Sequence, residues 1–475
     1  MVEIAGFEGP SPQTKYDELL AAPAGNDIAA AVPIIQRSAA EYTSLDARYH
    51  LNLAARNYDR QYAQLYFYRL VQMRPVLEQA AKSKWPGLPV VRVLDIPEEG
   101  QVVVIGTLYK EMALKPSILD EYTKERALAE QLGRTRFTQP EDKVVMEDEG
   151  ARVSLSGEEL LPGSCVAGVL AAVKGSVLEN GEFDVKEVCF AGMAPQVPFP
   201  KQTEDKYVAL VSGLGIGGTG GDDNASSGSS NLLQLQLLVD YCSGALGGKS
   251  EQSIASCISR VVVAGGLLHG TADLSQPTAY ASLRQQAAAL GPVREADVRL
   301  TELASSVPVD VMPGASDPAN YSLPQQPLHR CLFPGAAGFP TFIRSPNPHM
   351  FDLEGVRFLG TSGQNVDDIV RYSDLEKRTS VLESLLEWRH LIPTAPDTLA
   401  SYPYHDTDPF IIDETPHVLF AGGQPEFGTS KAVGPDGQVV RVIAVPDFST
   451  TGTMVLVNLK NLEVHPVQFE CDMDI

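Results

Sequence analysis

Along residues 59–192 the spacing of apolar positions changes once. DRQYAQLYFYRLVQMRPVLEQAAKSKW (59–85) sets Tyr, Leu and Val at helical spacing, with Leu65, Tyr68 or Arg69, and Gln72 on successive turns. This predicts a helix that Pro75 bends or ends, because proline brings no N–H to the ladder. Short β-branched runs then alternate with turns: PVVRVLDI, EGQVVVIGTLYKEM, DKVVMEDEGARVSLSG, SCVAGVLAAVKGSV and GEFDVKEVCFAG. Five such runs in close succession predict a small closed or nearly closed barrel.

The Pro-rich segment 193–205 has the composition of an inter-domain connector. Beyond it, apolar strands (YVALVSG, RVVVAGG, VPVDVMPG, VRFLGTSG, HVLFAGG) alternate with helix-like stretches at 231–246, 279–306 and 373–391. Such alternation predicts an α/β layer fold. RTSVLESLLEWRHL places Val381, Leu382, Leu385 and Leu386 on one helical face. Leu233, Leu235 and Leu237 also alternate as a strand would, but the length of their segment favours a helix. Residues 439–469 return to strand and hairpin character, and residues 1–35 read as a flexible lead-in. The expected division is a lead-in (1–35), a helix plus barrel (36–192), a linker (193–205) and an α/β domain (206–475).

Lys plus Arg number 37 against 60 for Asp plus Glu, a net charge of −23, so a bare polyanion would be repelled by most of the surface. The six cysteines include no C-x-x-C pair, which argues for reduced thiols over a zinc ribbon or disulfide framework. MVEIAGFEGPSPQ lacks the basic flank and apolar core of a signal peptide. The apolar runs, such as VVVAGGLL, are far shorter than a bilayer span, so no membrane partner is expected.

Gly213, Gly215 and Gly218 satisfy G-x-G-x-x-G directly after YVALV. A dinucleotide turn must open a helix, whereas Thr219–Ser230 are dominated by Gly, Ser, Asp and Asn, so the glycines read as a turn. Asp240 sits near the offset of a ribose carboxylate but lies in a Leu-rich helical segment. SGALGGKS (243–250) reads as a helix-ending Gly turn, and GTSGQ (360–364) lacks the last glycine of a serine elbow. No two of the eight histidines fall at H-x-H or H-x-x-x-H spacing. His405, Asp406 and Asp408 are the nearest metal-like cluster, though acidic loops of this kind are usually solvated turns. Asp367 and Asp368 read as acids favoured at a helix N-terminus, and Glu147, Asp148 and Glu149 as an exposed hairpin flank.

SVPVDVMPGASDPANYSLPQQPLHRCLFP, GVRFLGTSGQNVDDIVRYS and TAPDTLASYPYHDTDPFIIDETPHVLFAGGQPEFG resemble the small-subunit family of eukaryotic DNA polymerase delta. YFYRLVQMRPVLE, VVVIGTLYKEMALKPSIL and VALVSGLGIGG carry the resemblance into the first half, over about residues 40–470. It implies an α+β and α/β chain of two domains: an OB-fold barrel followed by an inactive calcineurin-like (metallophosphoesterase) α/β sandwich. An active phosphoesterase holds metal ions with Asp-x-His, Gly-Asp, Gly-Asn-His-Asp and Gly-His-x-His turns. The matching positions here are Gly213 and Gly215; Gly265 and Gly266; Gly314, Ala315, Ser316 and Asp317; and Gly422, Gly423, Gln424 and Pro425. Only Asp317 remains as a ligand type, so neither metal nor cofactor is expected.

The same resemblance implies a non-catalytic scaffold in DNA replication and repair synthesis. Its expected partners are the polymerase catalytic subunit, through that subunit's C-terminal domain, and a third accessory subunit. The sliding clamp would be reached indirectly, DNA only through the complex, and the location would be the nucleus. Few aromatics in the barrel strands and the charge of −23 favour protein contacts over a single-strand groove. The alternatives are an active metal-dependent phosphoesterase or nuclease, and the B subunit of polymerase alpha or epsilon.

Overall fold

The computed structural model describes residues 2–4, 36–52, 56–59, 63–115, 135–217, 226–269 and 290–470. Helix α1 (Ala63–Lys84) buries Leu65, Arg69, Leu70, Met73, Leu77 and Ala81. It runs on through Pro75, which faces solvent, so the proline does not end the helix. Strands β1 (Val2–Ile4) and β2 (Tyr42–Ser44) precede it.

Strands β3 (Val90–Val91), β4 (Val102–Glu111), β5 (Lys143–Glu147), β6 (Arg152–Ser156), β7 (Leu170–Val177) and β8 (Phe183–Cys189) form one sheet in the order β3-β4-β5-β6-β8-β7. A further β4–β7 pairing closes it into the expected barrel. DKVVMEDEGARVSLSG supplies two of these strands, a hairpin, while PVVRVLDI yields only β3 and a 3-10 turn at Val93–Asp95. Within the hairpin turn, Asp148 is buried rather than exposed and accepts N–H bonds from Val93 (2.8 Å), Gly150 (2.8 Å) and Ala151 (3.0 Å). Burial opposes its ionisation, but these donors outweigh it and hold the carboxyl below the usual range. Glu147 and Glu149 pair with Arg152 and Arg74.

The second half is two stacked sheets. Parallel β9 (Tyr207–Val211), β10 (Ile258–Ala264), β11 (Val309–Met312) and β12 (Phe342–Arg344) are extended beyond β9 by β18 (Thr453–Asn458), β19 (Val464–Phe469) and β1. The other sheet is ordered β16 (Gly428–Val433), β17 (Val439–Pro446), β15 (Val418–Gln424), β14 (Val356–Thr361), β13 (His349–Leu353) and β2. Alternation assigns the faces. Val208 and Leu210 of β9 meet Phe351, Phe358 and Phe420 between the sheets, whereas Tyr207, Ala209 and Val211 face helices α2 (Ser226–Ser243) and α4 (Gly291–Ala304). Helix α3 (Lys249–Ser256) joins α2 to β10. Helices α5 (Gln364–Arg371) and α6 (Arg378–Trp388) cover the outer face of the second sheet, with Val381, Leu382, Leu385 and Leu386 buried as their spacing predicts. Helix α7 (Phe448–Thr451) follows β17.

Several segment boundaries differ from the sequence reading. Val2–Ile4 of the lead-in pairs with Ile4 against Val467 and Val2 against Phe469. Tyr42–Ser44, grouped with the barrel by sequence, pairs with Phe351–Leu353 of the sandwich, and Arg37 donates to Cys242 O, Ala255 O and Ile258 O. The Leu-rich segment is helical, and of the 279–306 stretch only the part from 290 is described, with α4 at Gly291–Ala304. The two short strands and the Arg37 bonds are long-range closures that local periodicity does not encode.

Candidate functional site

Parallel strands of both sheets end in turns that converge on one another, the place where α/β folds mount ligands. The Gly213 N–H donates to Gly265 O (2.9 Å) and the Gly215 N–H to Gly266 O (3.0 Å). Both donors that a phosphate would need are therefore spent on the neighbouring turn. Gly218 lies outside the described residues, and α2 begins only at Ser226. The helix expected over 231–246 starts earlier, at Ser226, within the stretch read as a turn, yet its first described residue is still well beyond the glycines.

The turns touch backbone to backbone. Gly213 (φ 65°), Gly215 (φ 59°), Gly265 (φ 81°) and Gly266 (φ 69°) all adopt the left-handed region that side chains disfavour. A Cβ on Gly266 would lie 2.9 Å from Gly213 Cα, and one on Gly314 would lie 2.5 Å from the Gly266 nitrogen. A Cβ on Gly213 would collide with the Asp447 carboxylate. Ser212 Oγ donates to Ala264 O (2.7 Å) and accepts from the Gly423 N–H (2.8 Å), which ties the two sheets together at this end.

Asp317, the ligand-type residue singled out in the sequence, is buried and accepts four backbone N–H bonds. Its Oδ2 accepts from the N–H groups of Gly314 (2.8 Å), Gly266 (2.9 Å) and Leu267 (3.2 Å), and its Oδ1 from Leu268 (2.9 Å). Burial prevails and pushes its pKa above the usual carboxylate value, against the four backbone donors, which favour the ionised form. Such a carboxylate organises three turns and has little lone-pair capacity left for an ion. Ser316 Oγ donates to Leu268 O (2.8 Å), whereas Ala315, Gly423 and Pro425 are exposed.

Next to these turns lies a neutral cluster of amides and a hydroxyl. Asn347 Nδ2 is 2.9 Å from Gln325 Oε1 and 2.6 Å from Ser362 Oγ, and Gln364 Nε2 donates to Gln325 Oε1 (2.9 Å). Amides neither transfer protons near neutral pH nor bind divalent ions strongly, so the cluster positions backbone without acting as acid or base. Among the described residues, no three His, Cys, Asp or Glu side chains are grouped to hold a metal.

The other acidic candidates are dispersed. Asp408 is buried between Arg69 Nε (2.8 Å) and His390 Nε2 (2.9 Å), whereas His405 is half-buried and Asp406 exposed. Burial opposes its ionisation, but His390 and Arg69 hold it well below the carboxylate range. Burial, then Arg69, lowers His390 to about 4 and leaves it neutral. Arg69 also donates to Gly168 O (3.0 Å), Pro393 O (2.8 Å) and Ala395 O (2.9 Å), joining α1 and the barrel to the sandwich. Asp367 stands in the first turn of α5 and pairs with Arg378 (2.8 Å), and Asp368 accepts from Thr398 Oγ1 (2.6 Å).

A second buried cluster has no counterpart among the sequence motifs. His349 Nδ1 lies 2.9 Å from Asp46 Oδ2 and its Nε2 3.2 Å from Asp310 Oδ2, while Arg260 pairs with Asp310 and stacks over the Tyr42 ring. No local pattern marks it, because its members are brought together only by the stacking of the two sheets.

Two family models match the chain: the DNA polymerase delta subunit OB-fold domain over residues 61–188, and the DNA polymerase alpha/epsilon B subunit over residues 208–429. The DNA polymerase delta small subunit of Oryza sativa subsp. japonica is 46% identical over 440 residues, covering 93% of this chain and all of its own length. The chain belongs to the DNA polymerase delta small-subunit family. Drosophila melanogaster DNA polymerase delta subunit 2 is 36% identical over 91% of this chain and 98% of its own. The Saccharomyces cerevisiae DNA polymerase delta small subunit is 31% identical over 87% of this chain and 90% of its own. Within this family the barrel is the OB-fold domain, and the glycine turns lie in the B-subunit domain.

Proposed function

We propose that this chain is a non-catalytic scaffold of the polymerase delta complex. It would hold the catalytic subunit through that subunit's C-terminal domain, connect it to a third accessory subunit, and act in the nucleus in replication and repair synthesis. The sandwich is read as a calcineurin-like phosphoesterase without activity, spanning about residues 206–475. The observation that carries the reading is the contact of Gly213, Gly266 and Gly314, which fills the room that ligands of a two-metal centre would need. Engagement of Asp317 by four backbone N–H groups supports it.

Two measurements test the reading. The purified chain with manganese should not hydrolyse bis-(p-nitrophenyl) phosphate above the metal-only rate. Co-expression with the polymerase delta catalytic subunit should yield one complex, lost when that subunit's C-terminal domain is removed. Hydrolysis abolished by Asp317→Ala, or a complex indifferent to that truncation, would overturn it.

A further inference from the structure

The Pro-rich segment that composition marks as a connector is pinned to the sandwich. Gln196 Nε2 donates to Pro416 O (2.9 Å) and Val439 O (2.8 Å), and its Oε1 accepts from the Val439 N–H (2.9 Å). The Thr415 N–H donates to Pro195 O (3.0 Å). His417 Nε2 bonds Val197 O (2.9 Å) and its ring packs edge-on against Phe199 at 5.4 Å. The segment is thus a fixed wall.

Between this wall and the face of β16–β17 that carries Arg441 in step with Ile443 and Val445, the face turned towards the first sheet, runs a groove of about 620 Å³ lined by Val197, Phe199, Val439 and Leu462 together with Lys431 and Arg441. Lys431 and Arg441 are direct cross-strand partners, an arrangement in which like charges repel. Arg441 Nε donates to Leu462 O (2.8 Å), yet among the described residues neither cation is held in an ion pair. In a chain of net charge −23 acidic partners are plentiful, so two adjacent unpaired cations in an apolar groove stand out. Asp436, at the rim, is bonded back to Gln438. Phe199 and Val433 remain 40% and 65% exposed beside the groove, and β16 is the edge strand of its sheet.

We propose that this groove docks an extended peptide segment of a partner protein in which an acidic residue is flanked by apolar ones. One carboxylate between Lys431 and Arg441 would relieve their repulsion through charge-assisted bonds, and the neighbouring apolar side chains would cover Val197, Phe199 and Val439. A nucleic acid would satisfy the cations but leave those apolar walls uncovered. The groove lies at the start of β17, away from the glycine turns at its end, so the proposal does not depend on the scaffold reading.

The test is selection of a random phage-displayed peptide library on the full-length chain, followed by fluorescence anisotropy of the enriched peptides. Enriched sequences should carry Asp or Glu beside Val, Leu, Ile or Phe. Their affinity should fall more than about tenfold for Lys431→Glu/Arg441→Glu and change little for Lys431→Arg. The neutral pair Lys431→Gln/Arg441→Gln, checked for an unchanged melting temperature, separates lost docking from lost folding. No enrichment, enriched peptides indifferent to both double variants, or a dT oligonucleotide whose binding requires the same two cations would overturn the proposal.

Discussion

His349 lies fully enclosed between Asp46 and Asp310, and its charge is set by those neighbours. Burial alone would lower its pKa, but the two carboxylates overcome that and raise it to about 9, so the ring is cationic at neutral pH. A histidine raised above its unfolded value of 6.5 contributes its full stability below that pH and loses it as pH climbs through about 9. Urea midpoints should therefore fall between pH 6.5 and about 9.5, and the fall should be smaller in a His349→Gln chain; equal falls in the two would refute the assignment. Of the groups facing this cluster, Arg260 pairs with Asp310, and Tyr42 stays neutral across that window because burial, then Asp310, raises its hydroxyl. Sequence spacing places Arg69 on the same helical side as Leu65, and it is buried there. The pairing of Asp46 with His349 crosses 303 residues and has no local signature, which is why only folding reveals it.

At the level of elements, local chemistry was legible where periodicity was long. The α6 face, the barrel strands and the parallel strand series all follow from apolar spacing. The pieces that escaped it are short: Val2–Ile4 and Tyr42–Ser44 become strands only because an open sheet edge receives them. Pro75 is a different case, since the sequence rule is sound but the helix is held by tertiary contacts on its other face. Pro75→Ala restores a donor at an exposed position and should stabilise the chain by about 1–3 kcal/mol. Equilibrium denaturation showing no gain would mean that the local backbone has already adapted to the ring.

In the whole molecule the barrel and the sandwich share a core. One buried cluster runs from Val102, Val104 and Phe183 of the barrel to Leu385, Trp388 and Ile392 beside the second sheet. The Arg69–Asp408–His390 group sits at the same junction, where breaking one partner strands a buried charge. Calorimetry should therefore record one cooperative transition with calorimetric and van't Hoff enthalpies in agreement; two resolved transitions would show independent units. The glycine contacts at the strand ends carry a further consequence, for the routes open to mutation. Supplying a carboxylate at Gly213 or Gly266 by a single substitution meets Asp447 or the facing turn before any ion arrives. Several turns would have to separate together before such a side chain could fit, so under the proposed scaffold reading no single substitution at these glycines would supply the first ligand of a metal centre.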